Sequence, residues 1–229
     1  PDQDPYHVHL ARVNLDGTDL RILTDGDGTH RWEFNADHSL FIDRWSRVDF
    51  PEVVQLRNSQ KGSVVAKLFT QDISELQRQN FTTPIRFASA GRDGQTMIYG
   101  TLILPSHFDP EKSYPLVELI YAGPQDFHVP KQFGIQISER RLAELGFIIA
   151  RIDGMGTNWR SKRFHDVCWK NLSDAGLPDR IAWLKAAAEQ YSWIDLSRVG
   201  IYGGSAGGQN ALAALLHLSL IHISEPTRL

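Results

Sequence analysis

The sequence predicts an α/β fold preceded by a short all-β segment, and three observations carry that expectation. Gly203-Gly204-Ser205-Ala206-Gly207 sits between an apolar run, Arg198 to Tyr202, and an Ala/Leu-rich run, Gln209 to Leu216, which reads as strand, sharp turn and helix. From about residue 85 onward, apolar runs of strand length alternate with stretches of helical spacing, the pattern of a mostly parallel sheet. The first 70 residues instead carry short alternating runs at intervals near ten residues, separated by Gly, Asp and Asn turns, as in a sandwich, barrel or propeller.

Taken in order, Val8 to Asn14 and Leu20 to Leu23 are expected strands flanking the Asp16-Gly17 turn. After the Asp25-Gly26-Asp27-Gly28 cluster, Trp32 to Phe34, Ser39 to Trp45, Val53 to Arg57 and Val64 to Phe69 follow as strands. Asp37-His38, Phe50-Pro51 and Gln60-Lys61-Gly62 are the separators. Arg12 to Thr24 resembles a propeller-blade hairpin, although so short a stretch proves no repeat. Asp72 to Asn80 reads as a polar helix or linker with Asp72 placed to cap it. Ile85 to Ala90 and Met97 to Leu104 form a hairpin about Arg92-Asp93-Gly94. Leu116 to Tyr121 is a buried run, Ile137 to Leu145 a helix ended by Gly146, Phe147 to Ile152 a second buried run, and Leu177 to Tyr191 a helix. Tyr121, Asp153 and Ser205 all fall just after strands, at the end where parallel sheets build their sites.

Bulk properties narrow the function. A hydrophobic share of 41% supports a real core, and a net charge of −3 gives no reason to expect nucleic acid as a partner. The sequence has no apolar stretch of transmembrane length. The opening Pro1-Asp2-Gln3-Asp4-Pro5 is neither an initiator nor a signal sequence, so the chain is expected to begin inside a longer protein. A single cysteine, Cys168, excludes an internal disulfide and reads as a packing residue. The histidines show no metal-ligand spacing beyond His7/His9, which alternate on an expected strand, and no cofactor or metal is expected.

The chemistry rests on Ser205. Glycines at 203 and 207 let strand and helix approach closely, so that the serine Oγ projects clear of the sheet. A phosphate loop is disfavoured because no Gly-Lys-Ser/Thr follows. A serine nucleophile needs oxyanion donors: one is the backbone N–H of Ala206, and the second should come from the loop after an earlier strand. Tyr121-Ala122-Gly123-Pro124 is such a loop, where the Tyr121 hydroxyl either donates or the ring only packs. Asp153 precedes the nucleophile, against the usual order of acid after serine, and reads as a loop-shaping residue. Asn158, Arg160, Lys162, Arg163, His165 and Asp166 read as a solvated polar loop, with substrate contacts the alternative.

Tyr114-Pro115-Leu116-Val117 leading into Tyr121-Ala122-Gly123-Pro124, then Asp153-Gly154-Met155-Gly156, then Arg198 to Gly208 with its doubled glycine after Ser205, resembles the prolyl oligopeptidase family, dipeptidyl peptidase IV branch. Leu102 to Pro105 with Phe108-Asp109 resembles that family's entry into its hydrolase domain. The resemblance implies residues 1–71 as the last blades of an N-terminal β-propeller, 72–84 as a linker, and 85–217 as the first part of an α/β-hydrolase peptidase domain. It implies serine peptidase chemistry on short peptides, commonly after proline, with Ser205 as nucleophile and the Tyr121 hydroxyl and Ala206 N–H as oxyanion donors. A homodimeric parent, periplasmic or secreted, is compatible with it.

Only 24 residues follow Ser205, too few for the family's downstream Asp and His, so the chain as written is expected to be inactive. The family's substrate-gripping glutamates belong to earlier propeller sequence, also absent, so dipeptide cleavage is an expectation for the parent protein only. Residues 218–229 read as a non-native tail resembling a translated sequencing adapter, which leaves His222 and Glu225 without a role. Competing expectations are a carboxylic-ester hydrolase of the same fold and a noncatalytic propeller/hydrolase-like binding module.

Overall fold

A computed structural model describes residues 3–217. The tail expected over 218–229 lies outside them. The chain divides into two compact units, Pro1–Gln79 with Pro130–Gly134, and Asn80–Val129 with Ile135–Leu229.

The first unit is all β apart from one short helix. β1 (Ala11–Arg12) and β2 (Arg21–Ile22) form a two-stranded antiparallel hairpin. β3 (Thr29–Phe34), β4 (Leu40–Arg47), β5 (Phe50–Asn58) and β6 (Val64–Thr70) form a four-stranded antiparallel sheet in chain order. The expected strands Val8–Asn14 and Leu20–Leu23 thus shorten to two residues each. Phe50-Pro51 is not a separator: the turn is Val48-Asp49, and Pro51 lies inside β5. Proline is tolerated there because the β4–β5 register shifts between Trp45 and Arg47 and the first β5–β6 pair is Val53 with Thr70. Leu10, Leu23 and Phe41 form a small apolar core. Beside it, fully buried Asp43 takes His30 Nδ1 at 2.8 Å and the Arg57 guanidinium at 2.8 Å, joining three neighbouring strands through one carboxylate. α1 (Ser74–Arg78) starts one residue later than the sequence suggests, with Ile73 at the N-cap position. Asp72 instead accepts the Ser74 N–H at 2.8 Å in an Asx turn.

The second unit is a five-stranded mixed sheet in the order β11-β9-β10-β8-β7. Its strands are β7 (Ile85–Ala90), β8 (Met97–Ile103), β9 (Tyr114–Leu119), β10 (Ile148–Asp153) and β11 (Ile194–Tyr202). Its helices are α2 (Ile137–Ala143), α3 (Lys162–His165), α4 (Leu177–Gln190) and α5 (Ala206–His217). The sheet is less parallel than the β/α alternation suggests: β9 pairs in parallel with β10 and β11, but the β7–β8 hairpin adds two antiparallel pairings. Its hairpin turn allows an antiparallel edge that needs no helical crossover.

Side-chain alternation sends successive residues to opposite faces. Leu102, Leu116, Ile148, Ala150 and Ile152 meet Trp183, Leu184 and Ala187 of α4 on one face. Ile103, Ile149, Val117 and Leu119 meet Ala143 of α2 on the other. The helices that follow the adjacent strands β9 and β10 therefore cover opposite faces. That is a topological switch point, the place where open α/β sheets build ligand sites at the carboxyl ends of their strands.

Candidate active site

Three parallel strands deliver the residues of interest to one edge. β9 ends in Tyr121-Ala122-Gly123-Pro124, β10 ends on Asp153, and β11 runs into Gly203 and Ser205. Ser205 has φ +54°, a left-handed conformation that costs an L-residue roughly 1–2 kcal/mol. It is exposed, and its carbonyl accepts the Gly208 and Gln209 N–H groups at 3.0 and 3.2 Å, which starts α5. This is the backbone geometry of a nucleophile elbow, with the hydroxyl held at a strained strand-to-helix apex. Ala206 is the first residue of α5, so its N–H is a donor the helix cannot use.

The glycines make the elbow possible. A Cβ on Gly203 would stand 2.5 Å from the carbonyl oxygen of Ile120 and 2.5 Å from the Gly207 backbone, and one on Gly207 would collide with the same Ile120 oxygen. The elbow therefore presses directly on the backbone that leads into Tyr121. The structure brings Ser205, Ala206 and the Tyr121 loop together as adjoining segments.

That loop is tethered at nearly every second residue. The Ile120 N–H donates to Tyr202 O at 2.8 Å, and the Ala122 N–H to Asn210 Oδ1 at 2.9 Å. His165 Nε2 lies 2.8 Å from Pro124 O. The His128 and Val129 N–H groups donate to the two carboxylate oxygens of fully buried Asp153, at 2.8 and 3.0 Å. Asp153 is thus a loop-shaping residue whose charge is spread over two amides. His165 is more than part of a solvated loop, since it fastens α3 to the Tyr121 loop. The Tyr121 ring packs against His128 with centroids 4.2 Å apart, and among the described residues its hydroxyl has a single loose 3.4 Å contact, from Gln125 Nε2. The anchors Asn210, Asp153 and His165 come from positions 88, 25 and 41 residues from their partners. Local sequence patterns cannot pair them. A faint signal exists for Asn210: it is a polar residue in the Ala/Leu-rich run, in helical register with buried Gly207 and Ala214.

Burial lowers the His128 imidazole from its ordinary range, against the pull of Asp153 and Asp126. A histidine with a depressed folded-state pKa binds fewer protons than the unfolded chain just below pH 6.5, so stability falls as pH drops through that window. Thermal melts of wild type and His128→Gln at pH 8 and pH 5 should therefore show a smaller acid-side loss in the variant; equal losses would remove His128 from this account. Cys168 donates Sγ–H to His165 O at 3.1 Å, and burial raises its thiol pKa, so it is a packing residue and not a thiolate. His9 lies against His30, at 4.8 Å between ring centroids, and bonds Thr24. Among the described residues no group of His, Cys, Asp and Glu is arranged to hold a metal, and no helix is long and apolar enough to cross a membrane.

Fold and site together define an α/β protein with a serine at a strained strand-to-helix elbow. Residues 134–220 match the model of the prolyl oligopeptidase family. Dipeptidyl peptidase 8 of Mus musculus is 32% identical over 222 residues, 93% of this chain and 25% of that protein. Dipeptidyl peptidase 8 of Homo sapiens is 31% identical over 224 residues, 94% of this chain and 25% of that protein. The crystal structure of Porphyromonas gingivalis dipeptidyl peptidase 4 superposes with a TM-score of 0.75 at 24% identity, covering 93% of this chain and 30% of that one, which establishes the shared fold. The resemblance carried by the Tyr-Ala-Gly-Pro and Gly-Gly-Ser-Ala-Gly-Gly elements is thereby supported along nearly the whole chain: it is similar to the prolyl oligopeptidase family in its dipeptidyl peptidase branch. The chain spans about a quarter of the length of the curated relatives it matches.

Proposed function

We propose that the chain is part of a serine peptidase of the prolyl oligopeptidase type. Ser205 Oγ attacks the carbonyl carbon of a peptide bond, and the developing oxyanion is held by the Ala206 N–H and the Tyr121 hydroxyl. Collapse of this intermediate breaks the C–N bond and expels the amine, which takes the proton that the base removed from the serine, and water then hydrolyses the acyl-enzyme to the acid and free Ser205. The observation that carries this reading is the left-handed Ser205, wedged by Gly203 and Gly207 against the backbone that enters Tyr121. A serine hydroxyl is a weak nucleophile until a base takes its proton. We assign that histidine, and the acid that orients it, to sequence beyond this chain, so the chain alone is inactive. The names of the relatives favour short peptides as substrates, cleaved after an N-terminal dipeptide, with proline at the bond as the family resemblance implies.

In the same proposal, residues 1–71 are the last strands of a β-propeller, 72–84 a linker and 85–217 the first part of the hydrolase domain. The four-stranded antiparallel sheet β3–β6, with its strands in chain order, has the makeup of one propeller blade.

A fluorophosphonate probe tests the chemistry. Applied to the full-length protein, it should form one adduct, mapped by peptide mass spectrometry to Ser205, and the 229-residue chain should label far more slowly. Rapid labelling of the short chain would overturn the assignment of the base to sequence elsewhere, and an unlabelled full-length protein would overturn the nucleophile.

A further inference from the structure

We propose that Asn210 is a positioning residue for Tyr121. The proposal deepens the functional reading above and rests on it. Asn210 lies one turn into α5, the helix that begins beside Ser205, and is almost fully buried. Its side-chain oxygen accepts the N–H of Ala122, the residue directly after Tyr121, at 2.9 Å.

Two consequences follow from this one bond. First, it spends the amide of Ala122, the residue directly after the tyrosine, on the helix that leaves the elbow, so that this N–H is not free to turn toward substrate. Second, it ties the loop to the helix that carries the serine. On the other side of Tyr121, Ile120 is fixed by its N–H to Tyr202 and by the Gly203–Gly207 backbone pressed on its carbonyl. Tyr121 is thus clamped between two attachments that both lead to the elbow, Tyr202 on the strand entering it and Asn210 on the helix leaving it. Any shift of the serine carries the tyrosine with it. Oxyanion donors act only where they are already aimed at the developing charge, and a misplacement near 1 Å costs about a hundredfold. The buried amide of Asn210 therefore sets the distance between nucleophile and donor without touching substrate.

The test is a double-mutant cycle on the full-length protein with a chromogenic dipeptidyl substrate. Tyr121→Phe should lower kcat by about 10²–10³-fold, the cost of losing one oxyanion donor. Asn210→Leu removes the acceptor at similar volume and should lower kcat by about tenfold to a hundredfold, with KM changed less than about twofold. Asn210→Asp keeps the acceptor oxygen and should restore kcat to within about threefold of wild type. In the Tyr121→Phe background the Asn210→Leu change should cost less than about twofold, because the group it positions is gone. If Asn210→Leu does not yield folded protein, Asn210→Ser, too short to reach Ala122, carries the same cycle. Equal losses from the Asn210 change with and without the Tyr121 hydroxyl would overturn the positioning role and leave the oxyanion assignment standing. An unchanged kcat in Tyr121→Phe alone would overturn that assignment itself.

Discussion

Replacing Ser205 with alanine in the full-length protein is expected to lower kcat/KM for a dipeptidyl amide by about 10⁴–10⁶-fold, the range seen when a serine nucleophile is removed from an otherwise intact site. Binding should survive, because the Ala206 N–H, the Tyr121 loop and the elbow backbone remain. Stability should barely move: alanine keeps a Cβ at φ +54°, so the strain persists. Ser205→Gly makes the prediction sharper. Glycine relieves about 1–2 kcal/mol of left-handed strain and returns roughly 0.5–1 kcal/mol of chain entropy to the unfolded state. It should therefore be as inactive as Ser205→Ala and at least as stable as wild type. A residue kept at an unfavourable φ whose removal abolishes activity and costs no stability is held there for chemistry. If Ser205→Gly instead retains activity, or loses several degrees of melting temperature, the elbow is a structural turn and the nucleophile lies elsewhere.

How far the sequence revealed this arrangement depends on the range of the interaction. The elbow was legible because its signals are local: an apolar run, two glycines around a serine, and an Ala/Leu-rich run within twenty residues. The identities of β7 to β11 and of α2, α4 and α5 were legible for the same reason, since burial imposes a period on each element. Pro51 was misleading because proline normally interrupts a strand, and only the register shift opposite Trp45 to Arg47 shows why it is tolerated. The antiparallel edge of the sheet was not legible either. Strand direction depends on how connections return through space, and a hairpin and a crossover strand carry the same alternation. The tethers of the Tyr121 loop are the clearest case. Asn210, Asp153 and His165 each act on a partner that is distant in sequence and contributes only a backbone N–H or C=O, which leaves no side-chain pattern at the partner to read.

Glu118→Ala should destabilise the second unit by about 3–5 kcal/mol, one of the largest single-residue losses open to this fold. Glu118 lies on β9 three residues before Tyr121, on the face that meets α4, and its carboxylate pairs with Arg180 Nη1. Both side chains are almost completely buried, at 5% and 1% exposure. Arg180 otherwise donates only Nε–H, to Ala175 O at 3.0 Å, and its Nη2 has no partner among the described residues. Removing the glutamate leaves a guanidinium charge under the sheet with one hydrogen bond, and such a charge costs more than the pair contributes. The paired substitution Glu118→Leu with Arg180→Met tests that reasoning, because replacing a buried ion pair by apolar side chains of similar volume is often neutral or stabilising. Urea unfolding should place the double variant within about 2 kcal/mol of wild type, well above Glu118→Ala. A double variant as unstable as the single one would mean that the loss comes from packing between β9 and α4 and not from the stranded charge. The distinction bears on the site. The ion pair holds β9 to α4 three residues before the chain reaches Tyr121, so a stranded charge should also loosen the tyrosine loop, and Glu118→Ala should lose kcat at temperatures below its melting transition while the apolar double variant keeps it.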